Sequence, residues 1–223
     1  MHLSEQKLKS IRNKVSEIID KKQLKTSPKI IAVSKTFPIE NIIPLLDFGH
    51  LHFGENKIQE VENKWPVIRD KYKNFNLHML GKIQSNKAKK AVKLFDYIHS
   101  LDNAKLATKI DQYEKELNKK PKIFIQVNIT DEPQKSGISL KDLNNFFFFC
   151  TKKLSLNIIG LMCLPPIDSD PIKFFKTLRD KADELSLSEL SMGMSSDYIQ
   201  AVENGATFLR LGTAIFGARN LTN

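Results

Sequence analysis

The sequence predicts a closed (β/α)8 barrel of the TIM type, preceded by one additional helix, and three observations lead there. Short apolar runs alternate with segments of helical spacing eight times along the chain. The runs are apolar on both faces, as in Ile30-Ile31-Ala32-Val33 and Ile123-Phe124-Ile125, which suits strands covered by helices on one side and by a core on the other. No Pro/Gly/Ser-rich linker divides the 223 residues, so a single barrel domain is expected to span 1–223. An open doubly wound sheet is the alternative that the same alternation allows.

Within the first 25 residues, Leu3–Leu24 carries Leu3, Leu8, Ile11, Val15, Ile18 and Ile19 at steps of mostly three, four or seven. That spacing marks an amphipathic leading helix, which Thr26-Ser27-Pro28 ends. The eight predicted strands follow at Lys29–Lys35, His50–Glu55, Leu77–Gly81, Tyr97–Asp102, Lys122–Ile129, Ile158–Leu164, Glu189–Met194 and Phe208–Gly212. Between them, Ile39–Phe48, Asn56–Trp65, Ser85–Phe95, Ala104–Asn118, Leu140–Lys153, Pro171–Leu185 and Ser196–Asn204 read as helices. Each crossover returns the chain to the starting edge of the sheet, so the strands run parallel. The run Phe146–Phe149 reads as a helix face and its neighbours, set against the barrel.

The formal net charge is +10, with 35 Lys+Arg against 25 Asp+Glu. A polyanion such as RNA is one partner such a surplus would suit. Only Arg12, Arg69, Arg179, Arg210 and Arg219 are arginines, and the lysines are spread along the chain, which argues against a groove reader. The run Lys82, Lys87, Lys89, Lys90, Lys93 reads as a solvated helix face. The polar start Met1-His2-Leu3-Ser4-Glu5-Gln6 and the lack of any apolar run near ~18 residues predict a soluble, cytoplasmic protein without a membrane partner. Cys150 and Cys163 sit in apolar company and read as buried thiols, since two cysteines build neither a disulfide framework nor a zinc spacing.

In a barrel the chemistry belongs at the C-terminal strand ends. The first strand ends in Val33-Ser34-Lys35-Thr36, and alternation puts Lys35 on the face of Ile31 and Val33. Partial desolvation there favours a neutral amine, able to attack an aldehyde and form a Schiff base. The seventh strand runs into Met192-Gly193-Met194-Ser195-Ser196-Asp197 and the eighth into Arg210-Leu211-Gly212-Thr213. Loops after these two strands are the recurrent phosphate cup of the architecture, with Ser195, Ser196 and Thr213 as hydroxyl donors and glycines that let the backbone approach. Ser195 or Ser196 could also cap the helix that follows. Arg210, bounded by Phe208, Leu209 and Leu211, needs a partner, either a structural carboxylate or a ring nitrogen or anion in the barrel mouth. His50 and His52, two apart on one predicted strand, share a face, but they start the strand and so stand at the wrong rim for a metal-dependent hydrolase.

These residues resemble the pyridoxal phosphate homeostasis protein family from Ile31 to Arg219. The resemblance rests on seven motifs in order: Ala32-Val33-Ser34-Lys35-Thr36; Phe53-Gly54-Glu55-Asn56 with Gln59-Glu60; and His78 to Lys87 through Gly81-Lys82-Ile83-Gln84-Ser85-Asn86. Next come His99-Ser100-Leu101-Asp102; Gln126-Val127-Asn128 with Lys135 and Gly137; and Gly160-Leu161-Met162. The last joins Leu190 to Asp197 with Arg210 to Arg219. The resemblance implies a fold type III barrel like the alanine racemase N-terminal domain. It also implies that Lys35 holds pyridoxal 5′-phosphate as an internal aldimine, that Ser195 or Ser196, Gly212 and Thr213 hold its phosphate, and that Arg210 meets the pyridine nitrogen. Asn56, Met162 and Met194 look like wall residues. Leu77 and Met79 flank His78 where the family often has aromatics, which implies altered packing there. The function implied is cofactor homeostasis and delivery without established turnover, with transient contact to apoenzymes; the absence of a large excess apolar face allows a monomer.

The chemistry of arginine agrees with that implication. A guanidinium hydrogen-bonds a ring nitrogen without protonating it, which weakens the ring as an electron sink. A weak amino-acid racemase acting through the same lysine is the enzymatic alternative, and an RNA-associated basic protein is the binding alternative.

Overall fold

The computed structural model describes residues 1–130, 132 and 135–218. Eight parallel strands close into a barrel: β1 (Lys29–Val33), β2 (His52–Glu55), β3 (Asn76–Met79), β4 (Tyr97–Leu101), β5 (Lys122–Asn128), β7 (Ile158–Cys163), β8 (Glu189–Ser191) and β9 (Phe208–Leu211). The order runs β4-β3-β2-β1-β9-β8-β7-β5, and pairing of β4 with β5 closes it. Closure removes both sheet edges, which settles the choice against an open sheet. A further two-residue strand, β6 (Ile138–Ser139), hangs on β5 and was not expected from the sequence. Gly137 makes it possible, at φ +124 and so close to Val127 and Asn128 that a Cβ would strike their backbone.

The leading helix, α1 (Leu3–Lys22), buries Leu8, Ile11 and Val15, as its spacing predicts. It stops earlier than expected, because Gln23 turns left-handed at φ 52 and Leu24 N–H bonds the Ile19 carbonyl. Around the barrel follow α2 (Ile39–Asp47), α3 (Ile58–Lys71), α4 (Ala88–Leu94), α5 (Ala104–Leu117), α6 (Leu143–Phe148), α7 (Ile172–Glu184), α8 (Tyr198–Glu203) and α9 (Thr213–Phe216). The sequence reading ended this helix at Trp65, one residue before Pro66. The helix instead continues through that proline, since buried Trp65 and Ile68 anchor both sides of it. A π-helical turn, Phe149–Lys153, extends α6 and keeps Cys150 fully buried while Phe148 faces out.

Two cores result. A large one fills the space between strands and helices, including Leu77 and Met79 beside Phe53 and Trp65. A smaller one fills the barrel itself with Ile31, Val33, Tyr97, Phe124, Met162 and Phe208. Cys150 and Cys163 are free and buried, and burial pushes both thiols up to about 12, which makes them inert. In the basic run, Lys89 pairs with Glu116 and Lys90 with Glu62, so acidic partners intersperse the positive face. Among the described residues no helix is long and apolar enough to cross a membrane.

Candidate functional site

At the C-terminal rim a cavity of about 630 Å³ opens into the barrel. Its floor is Val33, Met162 and Arg210 from β1, β7 and β9, and Lys35 follows β1. Asn56 after β2 and Met194 after β8 form walls, and Ser195, Ser196, Gly212 and Thr213 close one end. All nine residues singled out from the sequence therefore meet in one cavity. Leu80, Leu164 and Ile167 complete the lining and were not foreseen, because apolar loop residues carry no signal until the loop is placed. Gly81 sits so close to the Asn56 carbonyl that a Cβ would lie 2.1 Å from it, which fixes the loop after β3 against the one after β2. Arg219, the last residue of the family motif, lies outside the described residues.

The Lys35 backbone is held in a tight turn. Ser34 N–H bonds the Gly54 carbonyl at 3.0 Å, and Phe37 N–H returns to Ser34 at 3.1 Å. Thr36 adopts φ 67, a left-handed conformation that a β-branched residue rarely tolerates. Such strain, of order 1–3 kcal/mol, persists only where the surroundings over-determine it. Here Lys64 Nζ donates to the carbonyls of Ser34 and Phe37 at 3.0 and 3.2 Å. Lys64 is itself fixed by buried Glu55 at 2.6 Å, and that carboxylate also accepts from Ser34 Oγ at 2.8 Å and Trp65 Nε1 at 3.0 Å. Burial pushes the Glu55 carboxyl up and these three donors hold it down. With an ammonium in contact, the pair is ionic at neutral pH.

The rim beside Lys35, across the β1–β9 pairing, is built from two short loops tied together. Gly193, at φ +88, turns the chain out of β8, and its carbonyl accepts from Arg210 N–H at 2.9 Å. Ser195 Oγ accepts from Ala214 N–H at 3.1 Å, so this hydroxyl joins the loop after β8 to the first turn of α9. Neither Ser195 nor Ser196 caps α8, whose N-cap is Asp197. The Asp197 side chain instead accepts from Met194 N–H at 2.6 Å. The capping alternative from the sequence thus gives way to a loop-to-loop tie.

Arg210 is 5% exposed, and no carboxylate among the described residues lies within ion-pair distance of it. It donates to Ser191 Oγ at 2.7 Å and to the Cys163 carbonyl at 2.9 Å. Burial lowers its affinity for the proton, yet a guanidinium stays charged. The structural ion pair is therefore set aside: a buried cation stands at the cavity floor with neutral hydrogen-bond partners, and the Asp197 carboxylate acts on it only from beyond ion-pair distance.

His50 and His52 do not share a face as the sequence predicted. His50 precedes β2 and turns outward to Arg12 at 3.0 Å, whereas His52 points into the barrel towards His78 at 3.0 Å. No group of three or more potential ligands among the described residues is placed to hold a metal. Burial leads the causes that lower His50 to about 3 and His52 to about 4, and it holds His78 and His99 well below the usual histidine range. These imidazoles fold neutral and must charge on unfolding. Their stabilisation is complete above the unfolded value near ~6.5 and is lost as pH falls towards the folded values. Buried Glu114, pushed up to about 7, acts in the opposite sense between the ordinary carboxyl value and about 7, and Glu55, also raised by burial, adds to it in the same sense. Four imidazoles outweigh the two carboxyls, so unfolding free energy is expected to fall by roughly 1.5–3 kcal/mol between pH 6.5 and 5.5. Urea denaturation at the two pH values measures it, and equal midpoints would contradict it.

The cavity's donor set suits a phosphorylated heteroaromatic aldehyde: an amine, a buried cation at the floor, and three hydroxyls at one end. The family model for the alanine racemase N-terminal domain matches residues 7–220. A pyridoxal phosphate homeostasis protein from Synechocystis is 38% identical, over 92% of this chain and 96% of its own. The structure of PipY from Synechococcus elongatus with PLP bound superposes with a TM-score of 0.79 at 36% identity, covering 91% of this chain and all of that one. An alanine racemase from Clostridium difficile shares the fold alone, with a TM-score of 0.69 at 14% identity, and this chain covers 57% of its length. Sequence, barrel and relatives agree: the chain belongs to the pyridoxal phosphate homeostasis protein family, built on the alanine racemase N-terminal domain.

Proposed function

We propose that this protein binds pyridoxal 5′-phosphate at the C-terminal rim of the barrel and serves as a carrier in its homeostasis, without turnover of its own. The observation that carries this reading is the convergence of Lys35, buried Arg210 and three hydroxyls on one cavity. When bound, the cofactor supplies an aldehyde that condenses reversibly with a primary amine, with loss of water. Lys35 is the amine placed to receive it. Arg210 offers a hydrogen-bond donor to the pyridine nitrogen, and Ser195, Ser196, Gly212 and Thr213 take the phosphate end. Asn56, Met162 and Met194 confine the ring.

Lys35 and Arg210 are the ionisable side chains lining the cavity among the described residues. A two-base racemase needs a second acid–base group facing the first, and arginine does not take that role. A carrier needs only retention and release, the latter to apoenzymes met transiently. The first test is an absorption spectrum of the purified protein before and after adding the cofactor. A new band near the visible edge, titrating to one site, is expected, and an unchanged sum of the two spectra would overturn the reading. Chiral analysis of alanine addresses the racemase alternative, and turnover of ~1 s⁻¹ or more would replace the carrier by an enzyme.

Thr213→Val removes one hydroxyl donor from the phosphate end. Affinity is expected to fall by about 1.5–3 kcal/mol, the scale of a hydrogen bond to a charged group. A fluorescence titration measures it, and unchanged affinity would mean that the phosphate lies elsewhere.

A further inference from the structure

Beneath the cavity a line of side chains crosses the barrel, one from each of five strands. Arg210 Nη1 on β9 donates to Ser191 Oγ on β8 at 2.7 Å. Ser191 Oγ lies 2.8 Å from His99 Nδ1 on β4. His99 Nε2 lies 2.9 Å from His78 Nδ1 on β3, and His78 Nε2 lies 3.0 Å from His52 Nδ1 on β2. Ser191, His99 and His78 are wholly buried, while His52 is partly exposed towards the opposite rim.

Counting hydrogens fixes the direction of this line. Arginine only donates, so Ser191 accepts from it. The serine hydroxyl then has one hydrogen and one remaining partner, His99 Nδ1. If His99 donated there, the hydroxyl hydrogen would be buried without an acceptor, a costly arrangement. Ser191 therefore donates to His99 Nδ1, His99 donates from Nε2 to His78, and His78 donates from Nε2 to His52. Each ring is neutral and carries its proton on Nε2. Stacking holds the rings in these orientations: Tyr97 lies on His78 with centroids 4.3 Å apart, and Phe124 lies on His99 at the same separation.

We propose that Ser191, His99, His78 and His52 form a hydrogen-bond column of fixed direction that positions Arg210 in the cavity floor. A serine that gives its hydrogen away is a better acceptor for the guanidinium, since hydrogen bonds in a chain polarise one another. The column thus solvates a buried cation that no carboxylate touches, and it points the remaining arginine N–H groups at the cavity. These are positioning residues, and their purpose rests on the role of Arg210 put forward above. The low proton affinity of all three rings fits the neutral state required.

The direction is tested without cofactor, by nitrogen-15 NMR of histidine-labelled protein near neutral pH. His99, His78 and His52 are expected as neutral rings with Nε2 protonated, and a proton on His99 Nδ1 would overturn the column. The positioning role is tested by two variants titrated with pyridoxal 5′-phosphate. In His99→Gln the amide oxygen accepts from Ser191 and the amide nitrogen donates to His78, whereas His99→Phe keeps volume and stacking only. The phenylalanine variant is expected to bind at least ~10-fold more weakly with a shifted absorption band, and the glutamine variant within ~3-fold of the parent. Equal loss in both, or loss in neither, would overturn it. If the parent itself binds no cofactor, the proposed function fails, while the NMR result still decides the direction.

Discussion

Lys35→Ala is expected to abolish durable retention of pyridoxal 5′-phosphate, with an apparent affinity at least ~100-fold weaker and no new absorption band. Many lysines are available elsewhere on the chain, so chemistry alone does not select this one. Placement does. Lys35 leaves the strained turn after β1 on the inward face continued from Ile31 and Val33, and it lines the cavity floored by Arg210. A surface amine lacks the phosphate and ring contacts that hold the aldehyde in reach, so adducts there should wash out. Borohydride reduction followed by peptide mapping should place the fixed label on the peptide containing Lys35. Persistence of the band in the alanine variant, or a label elsewhere, would falsify the assignment.

The second large effect falls on a residue that never touches the cavity. Glu55→Ala removes the carboxylate that holds Lys64, Ser34 and Trp65 together beneath the β1–α2 turn. Breaking a buried ion pair by deleting one partner costs about 3–5 kcal/mol, because the other charge stays buried alone. Lys64, only 11% exposed at its side chain, is that stranded charge. Its bonds to the Ser34 and Phe37 carbonyls hold the turn carrying Lys35, so cofactor affinity should fall together with stability. Glu55→Gln keeps the shape and two acceptor contacts and should lose less of both. Chemical denaturation with parallel cofactor titration reads the two effects, and an alanine variant as stable as the parent would remove Glu55 from this role.

Much of the barrel was legible because parallel strands buried on both faces write themselves as apolar runs, and because each of the first seven runs is followed by a helical segment. The lining of the candidate site was legible for a related reason. Strand ends carry chemistry in this architecture, so Lys35, Ser195, Ser196, Arg210, Gly212 and Thr213 announced themselves by position, and family resemblance added Asn56, Met162 and Met194. The histidine column was not legible. His52, His78 and His99 lie on three strands with helices between them, and only the register, such as His78 opposite Tyr97, brings the rings into line. The face of His50 was misjudged because it was assigned to a strand that begins at His52. The two residues of β6 are too few to show any alternation, and α3 runs past Pro66 to Lys71, beyond the expected end at Trp65.

The aromatic filling around Phe208 has a consequence for traffic. With Tyr97, Phe124 and Met162 packed beside it, the barrel has a stopper and no passage from end to end. Whatever enters the cup must leave by the same door, past the outermost side chain, Ile167. On the proposed carrier reading, a ligand arriving and a ligand departing would share that single threshold.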